Sequence, residues 1–349
     1  MFDGQVLTPL CQRLAQNPLL TITLLSFEKK RLFAKDNPIL TAKVTEIQRL
    51  HPRLQLVIRS KTSFFGRCSL IWPLYQLRKF LAQHNFDQVL IRGPLAGYLW
   101  YKARTASTVQ LNGLLLKPTP VTIQARGLAA AEYAYEHRLT PSYSRLWHRW
   151  RADELERIER LVYGPLALLP LPYQIEAVSP ALKTHLAQHY HTDPHQLTIA
   201  QQDLPAPLDP QQVANWRQQI RMQLKLAPQQ TVYCYSGSAK AWQCPRETIQ
   251  YFQTQLAQNQ HSILLILTPD LTNFQALLTQ SNLPHNSYRL LCVPHREVYQ
   301  YLAACDVGIV FREAHILNWI SRPTKILEYQ SVGLQIVHNH TIAMLSELG

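Results

Sequence analysis

In the segment SRPTKILEYQSVGLQIV, Pro323 opens a helix, Lys325 falls in its first turn and Glu328 follows three residues later on roughly the same face. A cation at a helix N-terminus opposes the macrodipole unless an anion compensates it. That helix start would present backbone N–H groups, an ammonium and a carboxylate together. The set suits a ligand carrying both phosphate and ribose hydroxyls, with phosphate near Lys325 and hydroxyls donated to Glu328. Gly333 then permits a tight turn into the next strand. The plain alternative is a surface Lys–Glu pair.

Three further loops follow apolar runs in the same half. In YSGSAKAW, Gly237 allows close backbone approach, Ser238 offers a hydroxyl and Lys240 a cation, as a diphosphate would need. A Gly-Ser turn alone is weak evidence. In VPHREV, His295 and Arg296 open a helix, where a lone histidine is more often a surface residue than a ligand contact. In VFREAHILNW, Arg312 and Glu313 stand at a strand end, where an arginine could clamp phosphate bidentately or simply form a surface ion pair.

The elements that must position these loops are legible as an alternation of short apolar runs and helices. Strands are predicted over 21–28, 54–60, 87–93, 121–127, 175–179 and 196–202, with helices over 5–16, 70–84, 95–106, 142–163 and 180–190. Ser179 and Pro180 read as N-cap and first-turn residue. After the proline-broken run 203–212 the alternation resumes. Strands are predicted over 231–237, 262–268, 288–294, 307–313 and 334–339, and helices over 245–257, 271–281, 296–304, 324–332 and from Ile342. This is a doubly wound α/β pattern, whose ligands bind beyond the carboxyl ends of the strands. The expected domains are 1–203, a hinge at 204–212, and 213–349. The chain opens in a helix-like segment with no apolar strand before it and stops where a helix has barely begun, so both ends are expected to be clipped.

Length and composition agree with two packed domains: 349 residues, 46% hydrophobic and 16% charged. No apolar run reaches the roughly 18 residues of a membrane span, and the N-terminus lacks a signal-peptide pattern. The most apolar runs, GPLALLPLPYQI among them, are short and interrupted. Six cysteines without Cys-x-x-Cys or Cys/His spacing point to reduced, mostly buried thiols and no structural zinc. Charge is one-sided. Residues 1–150 carry 21 lysines and arginines against 7 acids, whereas residues 151–349 are almost neutral. Such a field attracts anionic partners, an anionic membrane surface among them, or is simply a solvated basic surface. The helical runs at 69–84 and 143–161 mix Trp, Tyr and Leu with Arg and Lys. They could dock on such a membrane, but core packing is expected for most of these aromatics.

The ordered series GSAKAW, VPHREVYQYLAACDVGIVFRE and RPTKILEYQSVGLQIV resembles the donor half of retaining GT-B glycosyltransferases, the group of sucrose synthase and of bacterial polysaccharide transferases (family 4 type). Pro323, Lys325, Glu328, Tyr329 and Gly333 match that group's Pro, Lys, Glu-Tyr and Gly. Tyr301, Leu302, Ala303, Ala304 and Asp306 match the stretch before it. More weakly, IRGPLAGY and ARGLAAAEYAYE resemble acceptor-side segments of bacterial members. The resemblance implies two Rossmann-like domains facing across a cleft, incomplete at both ends here. It implies Arg312, Lys325 and Glu328 as catalytic, and Gly237, Ser238, Lys240, His295, Glu313, Pro323 and Gly333 as donor-binding. Arg92, Arg126, Gly127 and Glu132 fall on the acceptor side. Two positions depart from the group's pattern: Ile320 stands where many members carry a first Glu, and Gln124 where several have Asp.

The implied reaction passes a sugar from a nucleotide-sugar to a glycan or lipid-linked acceptor with retention of configuration. No cofactor is implied, and with no Asp-x-Asp motif no metal is expected. The expected location is the cytoplasm, peripheral at the inner face of a membrane. A catalytically inactive partner subunit and a GT-B nucleotide-sugar epimerase are the alternatives. A nucleic-acid role is not expected, since no helix-turn-helix, zinc finger or RNP-like motif is present.

Overall fold

The alternation folds into parallel sheets. A computed structural model describes residues 6–29, 38–105, 119–164, 173–201 and 207–346, and the chain divides into two units, Met1–Asp203 and Leu204–Gly349. Of the expected hinge, 204–206 lie outside the described residues, as do 5, 106 and 202 at the ends of three predicted elements and most of the GPLALLPLPYQI run.

In the first unit β1 (Ile22–Lys29) and β2 (Leu54–Lys61) pair in parallel as a sheet of their own. The other four strands, β3 (Val89–Arg92), β4 (Val121–Ala125), β5 (Tyr173–Ala177) and β6 (Leu197–Ile199), form a second parallel sheet in sequential order. The helices are α1 (Thr8–Gln16), α2 (Pro38–Leu50), α3 (Ile71–Gln83), α4 (Pro94–Thr105), α5 (Ala129–Glu136), α6 (Ser142–Tyr163) and α7 (Pro180–His189). The Ser179 hydroxyl accepts from Leu182 N at 3.0 Å, so the Ser-Pro start of α7 is a true N-cap. Core packing of most aromatics in the runs 69–84 and 143–161 is overturned: Trp72, Tyr75, Tyr143, Trp147 and Trp150 are exposed, and of that set Phe80 is buried. The buried residues of α6 begin only at Glu154, so its first three turns project beyond the core.

The second unit holds β7 (Val232–Ser236), β8 (Ile263–Leu267), β9 (Tyr288–Leu291), β10 (Val307–Val310) and β11 (Gln335–His338), all parallel, in the order β11-β10-β7-β8-β9. Its helices are α8 (Pro210–Gln223), α9 (Pro245–Gln258), α10 (Leu271–Ser281), α11 (Val298–Ala303), α12 (Ile316–Trp319), α13 (Thr324–Ser331) and α14 (Ala343–Ser346). Every residue of β8 is buried, because a central parallel strand is covered on both faces. Alternate residues divide between two cores: Val232, Cys234, Ile263 and Leu265 face one, Tyr235, Leu264 and Ile266 the other. The chain order reverses between β7 and β10, which is the switch point where doubly wound sheets take their ligands.

The expected hinge ends earlier than its prolines suggest. Pro210 does not break the chain but begins α8, since a first-turn proline loses no helical hydrogen bond. Asp209 caps that helix, its carboxylate accepting from Gln211 N at 3.1 Å. Arg217 then donates to the Asp306 carboxylate at 2.5 Å and ties α8 to the start of β10. All six cysteines are free, and three of them, Cys234, Cys244 and Cys305, are buried. Among the described residues no helix is long and apolar enough to cross a membrane.

Candidate functional site

Three chain segments reach the switch point of the second sheet. The first leaves β7 through Gly237, whose φ of +146° is a conformation that side chains rarely adopt. A Cβ there would also lie 2.6 Å from Gln243 Oε1 and 3.3 Å from Lys325 Nζ. The loop is held from several sides. The Tyr235 hydroxyl donates to Ser238 O at 2.7 Å, Gln243 Nε2 donates to the Ser238 hydroxyl at 2.9 Å, and Ala239 N donates to Asp270 at 2.9 Å. Lys240 is exposed, with its ammonium 4.5 Å from the centroid of Trp242.

The second segment leaves β10. Arg312 exchanges hydrogen bonds with the Asn339 side chain, its N donating to Oδ1 at 3.2 Å and its O accepting from Nδ2 at 2.7 Å. The amide thus extends the strand by one peptide-like rung and fixes where the guanidinium starts. Glu313 is joined through its backbone, N to Trp242 O at 3.3 Å and O from Asn318 Nδ2 at 2.7 Å.

The third is α13. Pro323 is its N-cap residue and Lys325 lies in its first turn. Tyr329 fixes the helix to the sheet: its hydroxyl accepts from Ser236 N at 2.9 Å, immediately before Gly237. Gly333, with φ of +77°, makes the turn into β11.

Lys325 and Glu328 do not pair in the way their spacing suggests. The Lys325 ammonium turns inward, 4.3 Å from the Tyr235 ring centroid, and has no hydrogen-bond partner. Lys325 is only 6% exposed and Arg312 only 8%, and the Arg312 Nε is likewise buried without a partner. Burial, and then the Arg312 charge, push the Lys325 pKa well below the ordinary lysine value. Burial also lowers that of Arg312. No carboxylate forms an ion pair with either cation among the described residues. Two buried basic groups whose charges act on each other are costly to keep charged unless an anion joins them. Glu328 is partly buried and its pKa is raised by burial, while the charges of His295 and Lys325 pull it down. Tyr299 lies near enough to Glu328 for the carboxylate, after burial, to help push its phenol up to about 12. His295 itself is exposed, in a turn before α11.

The structure therefore brings Gly237, Ser238, Arg312, Lys325 and Glu328 to one end of one sheet, with Glu313 joined through its backbone. Lys240 sits on Trp242. Sequence reading missed Tyr235, Gln243 and Asn339, which build the walls of the site. Only Asn339, directly after β11, stood at a position where its strand-end placement was a signal. Ile320 is buried at 1% exposure and supplies no carboxylate.

In the first unit, Arg92 ends β3, with Arg126 and Gly127 directly after the neighbouring β4. The Glu132 carboxyl lies against Gly127, 2.6 Å from where a Cβ would be, and its pKa is raised by burial and by Glu136. Gln124 is buried and donates to Glu176 at 2.7 Å. A residue unforeseen from sequence organises this corner. Glu159, fully buried on α6, accepts from Ala129 N at 2.6 Å and from the Tyr190 hydroxyl at 3.0 Å, and so caps α5 from a distance. Burial raises its carboxyl pKa to about 7. Between the ordinary carboxyl range and about 7, the folded state keeps a proton that the unfolded chain has released. Stability then falls as pH rises through that window. Glu159→Gln, which keeps an acceptor oxygen, should flatten this slope when urea midpoints are compared across that range.

Among solved structures, similar folds include WaaG, a glycosyltransferase involved in lipopolysaccharide biosynthesis. The likeness covers 93% of this chain and 83% of that one, at 15% identity and a TM-score of 0.58. The Anabaena protein HepE, in complex with UDP and glucose, matches over 92% and 82% at 13% identity and a TM-score of 0.54. A UDP-forming α,α-trehalose-phosphate synthase from Burkholderia vietnamiensis matches over 95% and 86% at 11% identity and a TM-score of 0.55. No protein-family model matches the chain, and no curated protein matches it by sequence. At these identities the likeness is one of fold: two Rossmann-like units of the GT-B type.

Proposed function

We propose that this chain is a glycosyltransferase that takes a sugar from a nucleotide-sugar and passes it, with retention of configuration, to a glycan or lipid-linked acceptor in the cytoplasm. The observation that carries the reading is the pair of buried basic side chains without an acidic partner among the described residues, Arg312 and Lys325, at the switch point of the second sheet. A diphosphate would neutralise both. Gly237 leaves room beside Lys325, and the start of α13 adds backbone N–H groups. Glu328 is then placed to accept the ribose hydroxyls, with His295 close enough for its charge to act on it.

In this mechanism the bond between the anomeric carbon and the diphosphate oxygen breaks while the acceptor oxygen bonds to the same face. The acceptor proton passes to the departing diphosphate. Arg312 and Lys325 stabilise the charge that grows on that leaving group, and their geometry is set before the reaction. Arg92, Arg126, Gly127 and Glu132, at the strand ends of the first unit, would hold the acceptor. No residue is assigned to a metal or cofactor.

UDP is named for two of the three structural neighbours described above, so UDP-sugars are the first donors to test, followed by GDP-, ADP- and dTDP-sugars in a thermal-shift screen. Glu328→Ala should weaken binding of the best donor by about 1–3 kcal/mol in calorimetry, the range for losing a charge-assisted hydrogen bond. Unchanged affinity would place the ribose elsewhere. Buried Ile320, where a carboxylate is common in the similar group, favours a second reading as a donor-binding subunit without activity of its own. Turnover of radiolabelled nucleotide-sugar separates the two, since the second reading gives binding without release of nucleotide.

A further inference from the structure

The projecting start of α6 carries Tyr143, Leu146, Trp147 and Trp150 at helical spacing, an apolar stripe that in most helices would face a core. Here it faces outward, with Tyr143 88% and Leu146 80% exposed. A loop completes it. Phe65 sets its ring 4.9 Å from Trp147 and 6.0 Å from Trp150, which are themselves 5.0 Å apart. The loop is fastened, not draped: Arg151 donates to Phe64 O, Arg67 donates to the Glu154 carboxylate at 3.0 Å, and Gly66 has no room for a side chain against Trp150. The same loop leads into α3, where Ile71, Trp72 and Tyr75 are exposed and Trp72 stacks on Tyr75 at 5.5 Å.

Charge decides what covers this platform. Residues 47–86 hold seven lysines and arginines and no acid, and residues 137–152 hold four and no acid. Arg145 and Arg149 lie between the stripe residues on α6 and are exposed. Fixed aromatics beside arginines, together with aliphatic side chains as exposed as Leu146, Leu139 and Ile71, fit a surface that is anionic outside and apolar just beneath. A nucleic acid would use the rings and the charge but gain nothing from the aliphatic groups.

We propose that the Phe65 loop and the first turns of α6 form a docking surface for an anionic phospholipid bilayer, entering its interface by the stripe and holding its headgroups by the arginines. The inference does not rest on the transferase reading and concerns the first unit alone.

The test is flotation of the full chain with phosphatidylcholine vesicles, with and without phosphatidylglycerol. The wild type should float only with the anionic vesicles, and less as salt rises. Arg145→Ala with Arg149→Ala should weaken that binding about thirty-fold, and Tyr143→Ser with Leu146→Ser at least about ten-fold. Both pairs are exposed, so circular dichroism melting should match the wild type. Three results would overturn the proposal. One is no flotation with anionic vesicles, and another is equal flotation of all three proteins. The third is single-stranded oligonucleotide binding, or a dimer seen by light scattering, that the variants abolish while no vesicle binding occurs.

Discussion

Replacing Lys325 by Met is expected to stabilise the unliganded protein and to cost it its nucleotide. The two effects have one origin. The Lys325 ammonium is buried against the Tyr235 ring, has no hydrogen-bond partner and is repelled by Arg312. Met keeps the length of the stem and removes the charge, and replacing buried ionic groups by well-packed apolar ones is often neutral or stabilising by about 1–4 kcal/mol. A diphosphate loses a charge-assisted partner in the same exchange, at about 1.5–3 kcal/mol, so affinity should fall about ten- to hundred-fold. The pH dependence has a definite sign. Between its lowered folded-state pKa and the ordinary lysine value, Lys325 has lost a proton that the unfolded chain still holds, so stability rises with pH across that window. An anion bound beside it restores the proton. UDP binding should therefore take up protons in that window, read by calorimetry in buffers of different ionisation enthalpy, and the Met variant should lose the Lys325 part of both uptake and slope. A variant that melts lower than wild type without ligand and binds UDP as tightly would remove Lys325 from the site.

The strands were legible because parallel strands buried on both faces are continuous apolar runs, as ILLIL of β8 shows. The loops after β7 and β10 were legible because they follow those runs, and a doubly wound sheet puts its ligands there. What escaped was whatever depends on partners far along the chain. Helix α5 has no capping side chain of its own, and its N-terminal cap, Glu159, comes from 30 residues away. Asn339 acts as a rung for Arg312 across 27 residues. The inward turn of Lys325 follows from Tyr235, 90 positions earlier, and no i,i+3 rule anticipates it. The stripe on α6 failed in a different way. Periodicity reports that a helix has an apolar face, and it is silent on whether protein covers that face.

Gly308→Ala is expected to destabilise the second unit by about 1–3 kcal/mol or more and to loosen the proposed donor site at the same time. An added Cβ would lie 2.3 Å from Cδ2, 2.6 Å from Cε2 and 2.8 Å from Cγ of Tyr329. Neither side yields easily. Gly308 is central in the sheet, paired with Cys234 of β7 and Ile336 of β11, and the Tyr329 ring is fully buried. Overpacking of this kind costs about 1–3 kcal/mol and sometimes more. If the ring swings aside, its hydroxyl leaves Ser236 N, the last rung before Gly237, and the loop facing Lys325 loses one of its anchors. Urea midpoints and UDP affinity should therefore fall together. Tyr329→Phe separates the two contributions, since it deletes the bond to Ser236 N, worth about 1 kcal/mol, and leaves the packing intact. Adding Tyr329→Leu to Gly308→Ala makes room for the methyl and should recover part of the stability without recovering UDP affinity. If Gly308→Ala unfolds at the wild-type urea concentration, the close packing of α13 on β10 is not what holds the Gly237 loop in place.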